Sequence, residues 1–148
     1  MSTRPANIKN IDELPLEARA FEGETFRLRR QLGVATGSKQ LGVHYCVLQP
    51  GHRSAPLHCH TQEEEFVYVL SGRMTLRLGD ERYEVRAGDA ISFLPGGKPH
   101  CLVNETDTDC VYLDIGTRSE DEEVLMPEAG RKMIRQKGQM RWEPMTRE

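Results

Sequence analysis

Short runs of alternating apolar and polar residues dominate the middle of the chain. Between positions 41 and 115, Gly, Pro, Asn and Asp interrupt the apolar runs at short intervals. The clearest alternation covers 73–78, and a second covers 82–86 after the turn Gly79-Asp80. Two such runs joined by a tight turn predict a β-hairpin. No helical period interrupts these runs, so the pattern predicts an all-β sandwich or barrel.

One run is apolar on both faces. In 65–70, Val67 and Val69 lie on one face of the predicted strand, whereas Phe66, Tyr68 and Leu70 lie on the other. A strand of this kind is covered on both sides. One face points into the barrel, and the other needs a terminal segment or a second subunit. We expect a homodimer to supply that cover.

The chain ends are more polar than the centre. Residues 1–24 are expected to form an extension that drapes over the surface, and the alternation in 26–29 suggests an added strand. Residues 25–118 are assigned to the barrel and 119–148 to a C-terminal extension. The acidic run 119–123 is interpreted as a solvated link.

Composition narrows the class of protein. The chain has 148 residues, 37% of them hydrophobic and 29% charged, with a net charge of −3, which is typical of one soluble domain. The mixed signs offer no basic stripe for nucleic acid. No apolar stretch suits a membrane span or a signal peptide, so a cytoplasmic location is expected. The four cysteines form no C-x-x-C motif and are expected to be free thiols.

Two histidines at strand spacing are the first candidate for chemistry. His58 and His60 project to the same face, roughly 6.6 Å apart. Alone, the pair could be two ordinary polar residues at a strand end. Glu65, however, heads an otherwise apolar strand face, where an unpaired carboxylate is costly to bury. Imidazole and carboxylate donors, with His100 following later in the chain, suit Fe, Mn, Ni, Zn, Co or Cu.

Two longer motifs carry a family resemblance. GHRSAPLHCHTQEEEFVYVLSG (51–72) resembles the first motif of the cupin superfamily, and GDAISFLPGGKPHCLVN (88–104) resembles the second. The matched positions are Gly51, His58, His60, Glu65, Gly72, Gly88, Pro95, Gly97, His100 and Asn104. Each motif is one residue longer than the family pattern before its His or Pro anchor. The resemblance covers about 40–116 and is closest to small bacterial single-domain cupins of unassigned reaction.

The resemblance implies a double-stranded β-helix, the cupin jelly-roll barrel, with short N- and C-terminal extensions. It also implies that His58, His60, Glu65 and His100 bind one divalent transition metal inside the barrel. Glu64 is the rival carboxylate, but it shares its parity with Phe66 on the opposite face.

Other side chains rank below these ligands. His44 and His52 are interpreted as a strand and a loop histidine, and Cys59 and Cys101 are expected to face away from the metal. The tyrosines at 68, 83 and 112 and Glu64 are the nearest candidates for a second catalytic group. The pocket is expected to be lined partly by Met74, Leu76 and Tyr83.

Four protein ligands leave one or two positions open on a metal that prefers five or six. An open position favours an enzyme that acts on a small polar organic compound, with an oxygenase slightly ahead of an isomerase. The alternative is a non-catalytic protein that binds or senses a small molecule. A purely structural metal fits less well, because structural sites are usually closed and rich in cysteine.

Overall fold

A computed structural model describes residues 3–145, which form mostly short strands. The strands are β1 (Glu17–Phe21), β2 (Glu24–Gln31), β3 (Leu41–Leu48), β4 (Cys59–His60), β5 (Glu65–Ser71), β6 (Arg73–Leu78), β7 (Glu81–Arg86), β8 (Ala90–Phe93), β9 (His100–Val103), β10 (Cys110–Thr117), β11 (Glu122–Met126), β12 (Arg131–Gln136) and β13 (Gln139–Pro144). A 3-10 turn at Ile11–Glu13 and a helix, α1 (Leu32–Thr36), complete the elements. None of the described helices is long and apolar enough to cross a bilayer.

The strands form three antiparallel sheets. The largest has the order β1-β2-β3-β10-β5-β8, the second β13-β12-β11-β4, and the third β7-β6-β9. Neighbours that are distant in sequence, such as β3 and β10, pair along their whole length. This is the predicted all-β, double-stranded β-helix, with the apolar faces of the sheets packed against each other.

The core lies where the predicted alternation puts it. Residues 73–86 form the β6–β7 hairpin, in which Met74 and Leu76 are buried. The core cluster comprises Cys46, Leu48, Val67, Val69, Met74, Leu76, Val85, Phe93, Leu102, Cys110 and Tyr112. Tyr83, on the edge strand β7, is 47% exposed, so its prediction as a pocket residue is wrong.

Both ends of the described chain contain more structure than the sequence pattern indicated. Residues 17–21, expected to drape over the surface, form β1 and extend the largest sheet by pairing with β2. The run 119–123 is not simply a solvated link, because Glu122 begins β11 and is 2% exposed. β11 pairs with β4 and so joins the C-terminal strands to the histidine pair.

The outer face of β5 has no cover within residues 3–145. Phe66, Tyr68 and Leu70 are 38%, 39% and 41% exposed. Val67 and Val69, on the inner face, are buried as predicted. No terminal segment within residues 3–145 therefore covers this face of β5, which was the alternative to a homodimer.

Candidate metal centre

His58 and His100 face each other across a short antiparallel bridge. The His58 amide donates to the His100 carbonyl at 3.1 Å, and the His100 amide donates back to the His58 carbonyl at 2.8 Å. Residues directly opposite in such a pair project to the same face. The two rings accordingly lie 4.7 Å apart, centroid to centroid.

Glu65, at the start of β5, completes a compact group with these two rings. Its Oε1 atom is 2.9 Å from His100 Nε2. Phe93 is paired with Glu65 in the β5–β8 register and stacks on the His100 ring, with centroids 3.6 Å apart and planes 5° apart. One donor atom from each of His58, Glu65 and His100 lies within 4.8 Å of the other two. The apolar stacking fixes the orientation of the imidazole.

The protonation of this group suits a cation. His58 Nδ1 lies 2.8 Å from the Pro56 carbonyl, which can only accept, so the proton is on Nδ1 and Nε2 keeps its lone pair. Burial and the neighbouring His100 lower the pKa of His58 to about 3. Burial would raise the pKa of Glu65, but the hydrogen bond from His100 and the adjacent histidines hold that pKa well below its usual value. Neutral imidazole and ionised carboxylate are the forms that bind metal.

His60 lies beside this group rather than inside it. Its Nε2 atom is 3.9 Å from Glu65 Oε2, and its Nδ1 atom faces Glu63 and Glu122 at 3.9 and 3.7 Å. Nδ1 is buried without a hydrogen-bond partner in the described chain. A carboxylate near the second nitrogen of a metal-binding histidine orients that ring. His60 is thus placed to offer Nε2 to an ion shared with Glu65.

Glu122 holds the loop between the two histidines and Glu65. Its carboxylate accepts hydrogen bonds from the amides of Thr61, Gln62 and Glu63 at 2.6 to 3.0 Å, and from the Thr61 hydroxyl at 2.9 Å. Burial raises the pKa of Glu122, but these hydrogen bonds outweigh it and the net shift is downward. The sequence reasoning missed Glu122 because an acidic run has no distinguishing pattern.

The donor set fits a transition metal, and the rival residues are not part of the donor groups. Glu64 is exposed, and its amide bonds to the Thr117 hydroxyl. His52 bonds to the Pro50 carbonyl in its loop. Cys101 is buried and Cys59 half-buried, both as free thiols outside the histidine–carboxylate groups. Imidazole nitrogens with one carboxylate are the ligands preferred by Fe, Mn, Co, Ni, Cu and Zn.

A cavity of about 540 Å³ opens beside these residues. His58, His60, Glu65 and His100 are on its wall, whereas the predicted lining residues Met74 and Leu76 are packed in the core. The cavity wall also carries Tyr112 and Glu64, two of the candidates for a second catalytic group, and His44. Sequence reasoning did not select the other charged groups on this wall, which include Arg19, Arg27, Arg29, Asp114 and Arg118. The alternation in β2 was visible, but only the register shows that Arg27 and Arg29 face inward.

Asp114 is the buried carboxyl group next to Glu65. It pairs with Val67 of β5 and His44 of β3 across the sheet, so its side chain points into the cavity. Arg27 lies 3.8 Å away. Burial and the Glu65 charge raise the pKa of Asp114 to about 7, against the opposing effect of Arg27.

Known proteins resemble this chain in sequence over the strands that carry the donor residues. The family model for the Cupin domain matches residues 44–116. Quercetin 2,3-dioxygenase of Bacillus subtilis is 33% identical over 93 residues, which are 60% of this chain and 27% of that enzyme. The chain spans between 27% and 54% of the length of the curated relatives that it matches.

Two solved structures match over nearly the whole chain. One, from Acidithiobacillus ferrooxidans, is provisionally named a sugar phosphate isomerase; it is 28% identical, with a TM-score of 0.87 over 97% of this chain and 98% of the other. The second, from Silicibacter pomeroyi, is also named a sugar phosphate isomerase; it is 25% identical, with a TM-score of 0.84 over 91% of this chain and 90% of the other.

Proposed function

The chain is a small protein of the cupin superfamily, and on this premise we propose that it is a metal-dependent isomerase of small polar organic molecules. The observation that carries the proposal is the convergence of His58, Glu65 and His100 within 4.8 Å on the wall of a cavity of about 540 Å³. A cavity of that size suits a small molecule. The site has donors for an ion on one side and room for a ligand on the other.

His58, His60, Glu65 and His100 would hold one divalent ion of Fe, Mn, Ni, Zn, Co or Cu. Bound there, the ion supplies Lewis-acid polarisation of a substrate oxygen. The protein's own part is to hold His58 with its proton on Nδ1 through the Pro56 carbonyl and to fix His100 against Phe93. Together these contacts hold two of the donors in place before an ion binds.

Isomerisation of a hydroxy-carbonyl compound moves a proton between neighbouring carbons and needs no second substrate. One protein group must take the proton and return it. Asp114 is suited to this role because its carboxyl group lies in the cavity beside Glu65. Glu63 is less suited, since the Ser119 amide and Arg135 already occupy its carboxylate.

The relatives support an isomerase more than an oxygenase. The two proteins named sugar phosphate isomerases align over at least 90% of both chains, whereas the quercetin dioxygenase match involves 27% of that enzyme. The sequence alone favoured an oxygenase slightly. An oxygenase remains the second candidate, on the strength of the 33% identity.

Solvent exchange tests the proposal. The metal-loaded protein is incubated in D₂O with a panel of aldose and ketose phosphates, and NMR follows deuterium at the carbon next to the carbonyl. We expect exchange with the wild type and loss of exchange in Asp114→Asn at unchanged metal content. Cys59→Ser is the matched control, because Cys59 lies outside the donor groups.

The other outcomes identify the alternatives. Consumption of dioxygen without deuterium incorporation would contradict the isomerase and favour the oxygenase. Ligand binding with neither exchange nor dioxygen consumption, across both sugar phosphates and flavonoids, would favour a non-catalytic protein that binds or senses small molecules.

We also propose that two copies pair through the outer face of β5. Phe66, Tyr68 and Leu70 form an exposed apolar row on this face. In the strand register, Phe66 and Tyr68 lie beside Ile115 and Leu113 of β10, which widens the apolar surface. Light scattering at micromolar concentration should give twice the 16.9 kDa of one chain, and Tyr68→Arg should reduce it. A wild-type mass of 16.9 kDa would refute the dimer.

A further inference from the structure

Positive charge is concentrated on the cavity wall away from Glu65. The charged groups come from three parts of the largest sheet: Arg19 from β1, Arg27 and Arg29 from β2, and Arg118 just after β10. Arg29 pairs with the buried Cys46, so the register places Arg29 on the inner face. The charges of all four guanidinium groups act on His44 of β3.

Few carboxylates balance these charges. Arg27 has Asp114 at 3.8 Å, and Glu17 lies opposite Arg29 in the β1–β2 register. Within residues 3–145, Arg19, Arg29 and Arg118 have no carboxylate within 4.0 Å, although ion pairs are frequent elsewhere on the chain. Burial and the nearby Arg27 lower the pKa of Arg19. Four guanidinium groups with so few carboxylates close to them repel one another, and a bound anion would relieve this repulsion.

The pKa of His44 responds to these positive charges as well as to burial. Arg29 Nη1 lies 3.4 Å from His44 Nε2, which therefore accepts a hydrogen bond as a neutral ring. Burial, followed by Arg29, Arg27, Arg118 and Arg19, lowers the pKa of His44 to about 4. Asp114 is the register partner of His44 on β10, and the pKa of His44 is nevertheless lowered.

The same wall has space and unused donors. Gly42 and Gly116 are register partners on β3 and β10, and neither fills the cavity with a side chain. The Arg118 guanidinium lies over Gly42, where an added Cβ would be 2.7 Å from Nε. Two buried polar atoms on this wall, Arg27 Nε and the Tyr112 hydroxyl, have no hydrogen-bond partner among the described residues. Buried donors without partners are rare unless a ligand or water satisfies them.

We propose that Arg27, Arg29 and Arg118 form a subsite for an oxyanion, a carboxylate or phosphate group, on a small organic ligand. Gly42 is two strands away from Glu65 across the sheet, which corresponds to about 10 Å. A short molecule can therefore place its anionic group at the arginines and its reactive carbon near the metal ligands. The identification of this ligand as the substrate rests on the proposed function; the anion site itself does not.

Calorimetric titration with inorganic phosphate and with malonate tests the subsite on chelator-treated protein at low ionic strength. Each hydrogen bond between charged groups is worth about 1.5 to 3 kcal/mol, or a tenfold or larger change in affinity. We expect Arg29→Gln and Arg118→Gln each to weaken binding by that factor. Arg73→Gln is the matched control, because Arg73 carries the same charge on an exposed side chain, 3.6 Å from Glu84. Tighter binding of phosphate would indicate a phosphate ester, and tighter binding of malonate a carboxylate.

A second measurement does not depend on substituting an arginine. NMR titration of the His44 ring should give a higher pKa in saturating phosphate than in chloride, because the bound anion offsets the four guanidinium charges. Gly42→Ala should weaken phosphate binding, because the added Cβ displaces the Arg118 guanidinium although no arginine is substituted.

The results separate this proposal from the metal site. Absence of phosphate and malonate binding by the wild type, equal weakening by Arg73→Gln, or an unchanged His44 pKa would overturn the subsite even if metal binds at full stoichiometry. Anion binding that persists without metal, and is lost in Arg29→Gln, would sustain the subsite even if the metal assignment fails.

Discussion

Replacement of Glu122 by Gln should damage both the fold and the metal centre. The Glu122 carboxylate is buried and accepts four hydrogen bonds from residues 61–63, the loop that leads from His60 to Glu65. In Glu122→Gln, the side-chain carbonyl can keep the three bonds to Oε1. The amide nitrogen then faces the Glu63 amide, where Oε2 now accepts at 2.6 Å, and two donors meet.

The expected cost follows from these contacts. One buried hydrogen bond to a charged acceptor is lost, and the others become weaker neutral bonds, so we expect a loss of about 3 kcal/mol in the free energy of unfolding. For a chain of this length that corresponds to a decrease of roughly 6 to 12 °C in Tm. The altered loop also no longer orients His60, and we expect metal affinity to decrease by about 10- to 100-fold.

Thermal unfolding of chelator-treated protein measures the change in Tm, and competition with a chromophoric chelator measures the metal affinity. Glu123→Gln is the matched control: the neighbouring carboxylate is about two-fifths exposed and lies 3.6 Å from Lys132, so its loss should change stability by less than about 1 kcal/mol. Equal Tm values for Glu122→Gln and Glu123→Gln would refute the reasoning.

Three further predictions follow from other parts of the molecule. Gly72→Ala should be destabilised by about 2 to 4 kcal/mol in urea unfolding, because Gly72 has φ +84° and an added Cβ would lie 2.7 Å from the Asp109 carbonyl oxygen. The control Gly88→Ala, with φ +93° but open space around the added Cβ, should lose only about 1 kcal/mol. Equal losses of stability in the two variants would contradict the packing argument. Metal at about 100 times its Kd should add roughly 2.7 kcal/mol, so a chelator should lower Tm reversibly, and an unchanged Tm would indicate weak binding. The pKa of His44 is about 4 in the folded chain against an ordinary value of 6.5, so the unfolded chain binds the proton first as the pH falls. The free energy of unfolding should therefore decrease by about 1 kcal/mol between pH 6.5 and pH 4, allowing for solvent screening. A His44→Gln variant with the same pH dependence as the wild type would contradict this.

Local patterns were sufficient to predict an all-β sandwich or barrel, and the family resemblance added the double-stranded β-helix. The alternation in 73–86 and the two apolar faces of 65–70 each specify a strand and its buried side, and the structure has β5, β6 and β7 there. Strand spacing singled out His58, His60 and Glu65, and the resemblance of the second motif added His100. The structure pairs His58 with His100 in an antiparallel bridge. Strand periodicity encodes these features within short windows of sequence.

Pairings between distant segments were not predictable in the same way. Arg27 and Arg29 alternate with apolar neighbours, and only the β2–β3 register decides which set faces the cavity. Glu122 is buried because β11 pairs with β4, across some sixty residues of chain. Long-range register depends on tertiary packing that a single sequence does not display.

Metal content tests the central claim most directly. Protein purified without added metal, and protein reconstituted with Mn, Fe or Zn, is analysed by elemental mass spectrometry alongside His58→Ala, His100→Ala and Cys59→Ser. We expect close to one ion per chain in the wild type and in Cys59→Ser, and far less than one in both histidine variants, with the fold checked by circular dichroism. One ion per chain in His58→Ala or His100→Ala, or none in the wild type after reconstitution, would contradict the assignment of this site.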